Sequence, residues 1–458
     1  MKYDCILSIF IAVINRVPPL HSMNETKHIL LFGAGKSATV LIGYLKQIAT
    51  AKKWQVTIED VNLAAVQSKV GNHVWVKAVG VSIENDSERK SLISKADVVI
   101  SLLPPTLHYQ VALDCLAFEK HLLTASYVDD TIKVLADQLK AKGILFLYEM
   151  GLDPGIDHMS AMQLIHRIKK EGGRIHSFLS HCGGLVAPES DDNPWHYKIS
   201  WNPRNVVMAG KAGAVYKEKS KVKSQNYDGL FADCSEVFIE GLGKLAYYPN
   251  RDSLSYIPVY ALEEADTFIR TTLRYPDFCK GWQLIVQLGL TDEEKMVNTD
   301  GLTIAAFLQK CFSEKKIRID ADDHLLREQF RFLGLQDESL LNKGICSYAD
   351  ILQSILERKW ILQLDDKDMI VMLHEIGYEV NGQKLTIKST LVVKGENYLR
   401  TAMAKTVGLP LGIAATLLLE GKITETGLHI PIVPGIYEPV LEALIHQGIQ
   451  FSETITHV

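Results

Sequence analysis

The chain is 458 residues long, enough for roughly three domains and a sizeable core, which excludes a disordered chain, a peptide hormone and a small disulfide-stapled scaffold. Hydrophobic residues make up 47% and charged residues 22%, an ordinary globular balance, and no apolar run approaches the roughly 20 residues of a membrane helix. Lys plus Arg total 49 against 54 Asp plus Glu, so the net charge of -5 leaves no broad basic surface, and neither nucleic acid nor membrane is expected as a partner.

Residues 6–14 (ILSIFIAVI) are apolar, yet they follow a stretch with a single Lys beside Asp4 and precede no small-residue cleavage site. Residues 1–23 therefore read as an N-terminal extension rather than a secretory signal. The seven cysteines (Cys5, Cys115, Cys182, Cys234, Cys279, Cys311, Cys346) are odd in number and contain no C-x-x-C pair, so neither a disulfide framework nor a metal site is expected. A reducing cytoplasm fits this usage.

From residue 24 strand and helix signals alternate. Segments 28–33 (HILLFG), 55–60 (QVTIED), 74–81 (VWVKAVGV), 96–104 (ADVVISLLP), 121–127 (HLLTASY) and 144–148 (ILFLY) have strand length and β-branched or apolar content, and the stretches between them have helical length. Such alternation predicts βαβ units and a doubly wound parallel sheet of about six strands, covered on both faces.

The first turn reads Gly33-Ala34-Gly35-Lys36-Ser37-Ala38, a G-x-G-x-x-A pattern between a strand and a helix predicted over 36–53. The first glycine permits the tight turn, the second lets backbone approach a pyrophosphate, and the helix start offers free N–H groups. Asp60, 25 residues after Gly35, closes the second strand. A carboxylate there accepts hydrogen bonds from ribose hydroxyls and repels a 2′-phosphate, so NAD is favoured, while Lys36 or Lys69 leaves NADP open.

Beyond residue 150, MGLDPGIDH (150–158) combines turn chemistry with the start of a helix at Ile156, and Asp153 is either its N-cap or a ligand contact. His158 and His166, eight apart, do not have metal-ligand spacing and read as core or surface histidines. The stretches 193–201 (NPWHYKISW) and 248–256 (YPNRDSLSY) crowd aromatics and cations into loop-like sequence, where ligand contacts concentrate. Arg270 and Arg274 are four apart; as bland features they are surface charges, while Arg251 and Arg274 as functional ones hold carboxylates. Residues 277–375 read as a helical insertion, 385–395 as strand, and 401–423 as an apolar helix broken at Gly-Leu-Pro and packed on the first domain.

Several stretches carry a more specific resemblance: ISLLPPTLH (100–108), LLTASYV (122–128), GLDPGIDHM (151–159), SHCGGLVAPESDDNPWHYKISW (180–201), YPNRDSLSY (248–256), TTLRY (271–275) and AMAKTVGLP (402–410). They resemble the glutamate-forming saccharopine dehydrogenases, also called saccharopine reductases, from about Lys27 to the C-terminus. The homologous domain of the bifunctional animal enzyme also has an acidic residue after its second strand, as Asp60 is here. Two departures stand out: Lys36-Ser37 replaces the family's apolar continuation of the glycine turn, and His181 stands where Tyr is common.

The resemblance implies a Rossmann-type domain (24–150), an α/β substrate and dimerisation domain (151–276 and 376–400), a small helical insertion (277–375) and C-terminal elements packing on the first domain (401–458). It implies an NAD(P)-dependent enzyme interconverting saccharopine with glutamate and 2-aminoadipate 6-semialdehyde in lysine metabolism, and a cytoplasmic homodimer. By similarity, Gly33, Gly35, Lys36, Ser37, Asp60, Leu103, Ala125, Ser126, Leu152 and Asp153 line the cofactor. Ser126, Tyr127, Asp153, Arg251, Thr272, Leu273 and Arg274 line the substrate, Thr272 and Leu273 through backbone. Tyr127, Asp153 and Cys182 are the candidates for proton transfer. Two rivals remain: a reductive condensation such as carboxynorspermidine formation, whose diamine calls for acids in place of Arg251 and Arg274, and a non-catalytic dinucleotide sensor. The joint presence of Asp153, Cys182, Arg251 and Arg274 argues against the sensor.

Overall fold

In the computed structural model, which describes residues 26–457, the six apolar segments become parallel strands β1 (His28–Phe32), β2 (Gln55–Glu59), β3 (Val76–Val79), β4 (Val98–Ser101), β5 (His121–Thr124) and β6 (Leu145–Leu147). The extension expected over 1–23, with its apolar run and Cys5, lies outside the described residues. A seventh strand, Gly427–His429, joins from far along the chain, and the order is Gly427–His429, β6, β5, β4, β1, β2, β3, every pair parallel. Alternate residues serve two cores: Ile29, Leu31, Val98 and Ile100 on one face, Leu30, Phe32 and Val99 on the other. The order reverses between β1 and β4, which opens a crevice at their carboxyl ends, where doubly wound sheets bind ligands.

Helix α1 (Ala38–Lys52) covers one face together with the long helix Ala402–Leu419. The latter is not broken at Gly-Leu-Pro, as its sequence predicts, but runs through Pro410. Its glycines make the seam with α1: a Cβ on Gly412 would lie 2.7 Å from Tyr44, and one on Gly408 2.9 Å from Leu41. By length and composition this helix is apolar enough to cross a membrane, contrary to the expectation that no apolar run comes near that length; here it is mostly buried inside the molecule, as a core helix is.

Strand β7 (Arg174–Val186) is central to a second sheet, parallel to Thr267–Arg274 on one side and antiparallel to Asp368–Val380 on the other. Ser235–Ile239 and Gly243–Pro249 extend one edge, Gln383–Lys394 and Ser452–His457 the other. The boundary expected at 376 thus falls inside Asp368–Val380. That segment is almost wholly buried from 368 to 378, and a continuous apolar run cannot be told from a buried helix by periodicity. The C-terminal elements divide likewise: Gly427–His429 joins the parallel sheet, whereas Ser452–His457 returns to the second.

Helices Pro276–Gln287, Ile304–Lys315, His324–Leu333 and Tyr348–Lys359 form the helical part, around Trp195, Trp282, Trp360, Phe278 and Phe330. Trp195 (0% exposed) and Tyr197 (2%) come from the stretch 193–201 expected to bear ligand contacts. Most of that stretch is instead the plug of this core, because its aromatics have more apolar area to bury than a loop leaves exposed.

Candidate active site between the two sheets

The glycine turn lies at the carboxyl end of β1. Gly33 has φ +93°, and a Cβ there would lie 2.8 Å from the Leu102 carbonyl at the end of β4, so the turn requires glycine. Around Gly35 the space is open, α1 has no acid in its first turn, and Ser37 makes no side-chain cap, leaving the helix N–H groups available. Asp60 braces the turn from below: Oδ2 accepts from the Ala34 amide (2.8 Å) and Oδ1 from the Asn62 amide (2.9 Å). Lys69 Nζ donates to the carbonyls of Ala34 (2.6 Å) and Gly35 (2.8 Å), and burial lowers its pKa against the pull of Asp60. The turn therefore fits a dinucleotide pyrophosphate, with one carboxylate and one ammonium close by. Lys36 is exposed beside Gly35, and Leu103 is half-buried just past β4.

After β5 the chain turns through Ala125, Ser126 and Tyr127. The Ser126 hydroxyl meets His108 Nε2 (2.7 Å), and His108 Nδ1 meets Ser101 Oγ (2.9 Å). Burial lowers the His108 pKa to about 4, so this imidazole is neutral near pH 7. Gly151 rests so close to Ala125 that a Cβ would lie 2.9 Å from it, and Leu152 beside it is buried. The Arg251 guanidinium stands 5.5 Å over the Tyr127 ring, and desolvation pushes that phenol far above its usual range, keeping its proton in place.

Asp153 is not the helix cap that its position allowed. Helix Ile156–Lys170 begins after Gly155, whose amide is accepted by Asp157 Oδ1 (2.6 Å). Asp153 Oδ1 instead meets Arg270 Nη2 (2.5 Å), and the same nitrogen reaches Asp157 Oδ2 (2.9 Å). Desolvation raises Asp153 to about 6 against the attraction of Arg270; at Asp157 desolvation acts the same way but is outweighed by His158 and Arg270, so its pKa falls. Cys182 on β7 is in register with Thr272 on one neighbour and Met372 on the other. Burial pushes its thiol well above its usual value, which suits a protonated wall rather than a nucleophile.

Arg270, Thr272 and Arg274 alternate onto one face of Thr267–Arg274, while Leu273 points its side chain into the core behind and contributes only backbone. Arg274 is 4% exposed, with its guanidinium 5.4 Å from each of the Tyr197 and Phe278 rings. Its Nη1 donates to the Leu273 carbonyl (2.8 Å), its Nε has no partner, and among the described residues no carboxylate pairs with it. Arg251, by contrast, is exposed.

The structure thus gathers Ser126, Tyr127, Asp153, Cys182, Thr272, Arg251 and Arg274 along one junction, with the dinucleotide turn on the same rim of the parallel sheet. Sequence reasoning missed the role of Arg270, weighed there as a surface charge, and missed Glu149 and Tyr256; His158, read as core or surface, is fully buried among charges. The period of two over 267–274, which sets Arg270 and Arg274 on one face, was the available signal for Arg270.

Residues 29–147 match the saccharopine dehydrogenase NADP binding domain, and residues 151–449 match the saccharopine dehydrogenase C-terminal domain. The chain is 32% identical over 436 residues to saccharopine dehydrogenase [NADP(+), L-glutamate-forming] of Saccharomyces cerevisiae, covering 91% of this chain and 96% of that one. It is 31% identical to the alpha-aminoadipic semialdehyde synthase of Arabidopsis thaliana and 34% to the mitochondrial one of Bos taurus. Those matches cover 96% and 95% of this chain, which spans about half of each synthase, 46% and 48%. The apo structure of the L-Glu-forming saccharopine dehydrogenase from Saccharomyces cerevisiae superposes with a TM-score of 0.85 at 31% identity, over 94% of this chain and 100% of that one. With both domains matched in series and the architecture shared end to end, the chain belongs to the saccharopine dehydrogenase family.

Proposed function

We propose that the protein is an NAD(P)-dependent oxidoreductase interconverting saccharopine with L-glutamate and 2-aminoadipate 6-semialdehyde. The observation that carries this reading is Arg274: a buried guanidinium with no carboxylate of its own among the described residues, on the face that also bears Arg270 and Cys182. A buried charge left alone is costly, so such a site calls for an anionic ligand group, and saccharopine brings three carboxylates. Arg251, over Tyr127 at the open side, supplies a second cation. A diamine substrate would find the wrong charge at both places.

When bound, the dinucleotide supplies the hydride acceptor. The carbon beside the secondary amine loses hydride and the nitrogen its proton, giving a C=N bond; water adds to that carbon, the C–N bond breaks, and glutamate leaves with its amine. Asp153, with a pKa of about 6, is a carboxylate at neutral pH and close enough to neutrality to hold a proton in transit. Tyr127 keeps its proton and serves as a hydrogen-bond donor. Arg270 fixes the Asp153 carboxylate.

NAD is the preferred cofactor on the strength of Asp60, whose carboxylate sits against the glycine turn, although the fungal relatives carry NADP(+) in their names. A cytoplasmic homodimer is the proposed state, resting on the family resemblance and on cysteines that are free among the described residues. The test is absorbance of reduced nicotinamide with purified protein and saccharopine, in parallel with NAD+ and NADP+. Reduction that requires saccharopine supports the activity, and the ratio of rates reads the cofactor. No reduction with either cofactor, in folded protein that binds a dinucleotide, overturns it.

A further inference from the structure

Glu149 is a buried acid in the left-handed region, with φ +55° and a side chain 6% exposed. Such backbone is costly for a residue with a Cβ and persists where the surroundings enforce it. The surroundings here are three segments of the junction. Oε1 accepts from the Val128 amide (3.2 Å), directly after Tyr127. Oε2 meets His158 Nε2 (2.8 Å), in the first turn of the helix that follows Asp153, and accepts from the Tyr256 hydroxyl (3.1 Å), five residues past Arg251.

The Glu149 amide also donates to the Ser126 carbonyl (3.0 Å). A carboxylate oxygen accepts here, so His158 donates from Nε2, and its Nδ1 meets the Tyr260 hydroxyl (2.5 Å). The Tyr256 ring stacks on His158 (5.2 Å) and carries the Arg270 guanidinium on its other contact (4.4 Å). A single side chain is therefore bonded to the segments that bear Tyr127, Asp153 and Arg251, two of them from different sheets.

We propose that Glu149 is a positioning residue that holds these three segments in the geometry needed for turnover, acting through His158 and Tyr256 without touching the reacting atoms. The inference rests on the activity proposed above for its kinetic consequence but not for its structural one. Small displacements of oriented groups cost catalysis more than binding, so the effect falls chiefly on turnover of the amine substrate; the dinucleotide keeps the glycine turn, which has no bond to Glu149, as its main hold, even though by similarity Ser126 and Asp153 also line it.

Glu149→Gln tests it, because the amide keeps size and backbone yet puts an NH2 where two donors now converge. Hydrogen–deuterium exchange over 124–130, 151–158 and 251–257 is expected to rise together, by about tenfold. The kcat/KM for saccharopine is expected to fall about 30-fold, chiefly in kcat, with the dinucleotide Kd within about twofold. Exchange rising in none or only one segment overturns the proposal, as does an equal loss of dinucleotide affinity. Should Glu149→Gln fold poorly, Tyr256→Phe removes one bond while keeping the ring, and the same pattern is expected at about threefold; wild-type exchange and kinetics in that variant also overturn it. A wild-type protein inert toward saccharopine defeats the proposed function, and the exchange pattern then decides this inference alone.

Discussion

The glycine turn presents backbone amides to open space, whereas the Asp153 turn, on the same rim of the parallel sheet, is packed against charged side chains from the second sheet. In the first region a short stretch of chain makes the site, with Asp60 and Lys69 bracing it from nearby elements. In the second the site exists only because Thr267–Arg274 and Ile156–Lys170 meet. A backbone site tolerates changes of side chain and recognises what all dinucleotides share. A site made of buried charges is exacting, since every charge needs its opposite. Among the described residues Arg270 has two carboxylates and Arg274 none, and under the proposed function this imbalance is what would select an anionic substrate.

Breaking the imbalance on its crowded side gives the largest effect. Arg270→Met leaves the buried Asp157 and the half-buried Asp153 without their cation, and an unfolding free energy lower by about 3–5 kcal/mol is expected in denaturant titration. Stability equal to wild type would mean that the two acids are protonated or solvated and that the charge argument is wrong. Arg274→Met sharpens the contrast, because removing an unpaired buried charge costs little stability, within about 1 kcal/mol. Its loss should instead raise the KM for saccharopine about 100-fold and leave that for the dinucleotide unchanged. Equal rises in both constants would place Arg274 in general packing, against Tyr197 and Phe278, instead of in substrate binding.

The same contrast explains what the sequence made legible. The parallel strands and the turn from Gly33 to Asp60 were readable because strand length, glycine spacing and the closing acid are all local, within about 30 residues. Asp368–Val380 was not readable as strand: buried on both faces, it carries no alternation. The stretch 193–201 misled for a related reason, since aromatics crowded into loop-like sequence look the same whether they hold a ligand or, like Trp195, fill a core. Arg270 looked like a surface charge because its partners, Asp153 and Asp157, lie more than 100 residues earlier. No spacing rule reaches that far. Glu149 escaped notice for the same reason, being joined to Tyr256 across 107 positions.

A milder perturbation is pH. Asp153 has a pKa of about 6, raised by desolvation, so kcat/KM for saccharopine is expected to fall about tenfold per unit below pH 6, as the carboxylate takes up its proton. Asp153→Asn should lower the rate and remove this limb; a limb that survives belongs to another group. The stability contribution has the opposite sense. With a folded pKa above the ordinary value, Asp153 favours the folded state at low pH, and that contribution is lost as pH rises through about 6.

The smallest effect is expected at the backbone site, and it tests whether that site is as indifferent to side chains as its geometry implies. Asp60→Asn keeps an acceptor for the Ala34 or Asn62 amide but removes the charge. If that charge repels a 2′-phosphate, the ratio of kcat/KM for NADP+ over NAD+ should rise about tenfold, equivalent to about 1.4 kcal/mol. Lys69→Met should move the ratio the other way by a smaller factor, because the Lys69 ammonium is already held by the carbonyls of Ala34 and Gly35 and has less freedom to reach a phosphate. Opposite movements would show that the two charges oppose each other in cofactor choice. A ratio unmoved by both variants would mean that the turn reads only the pyrophosphate, and that preference between the two cofactors is set elsewhere along the adenosine pocket.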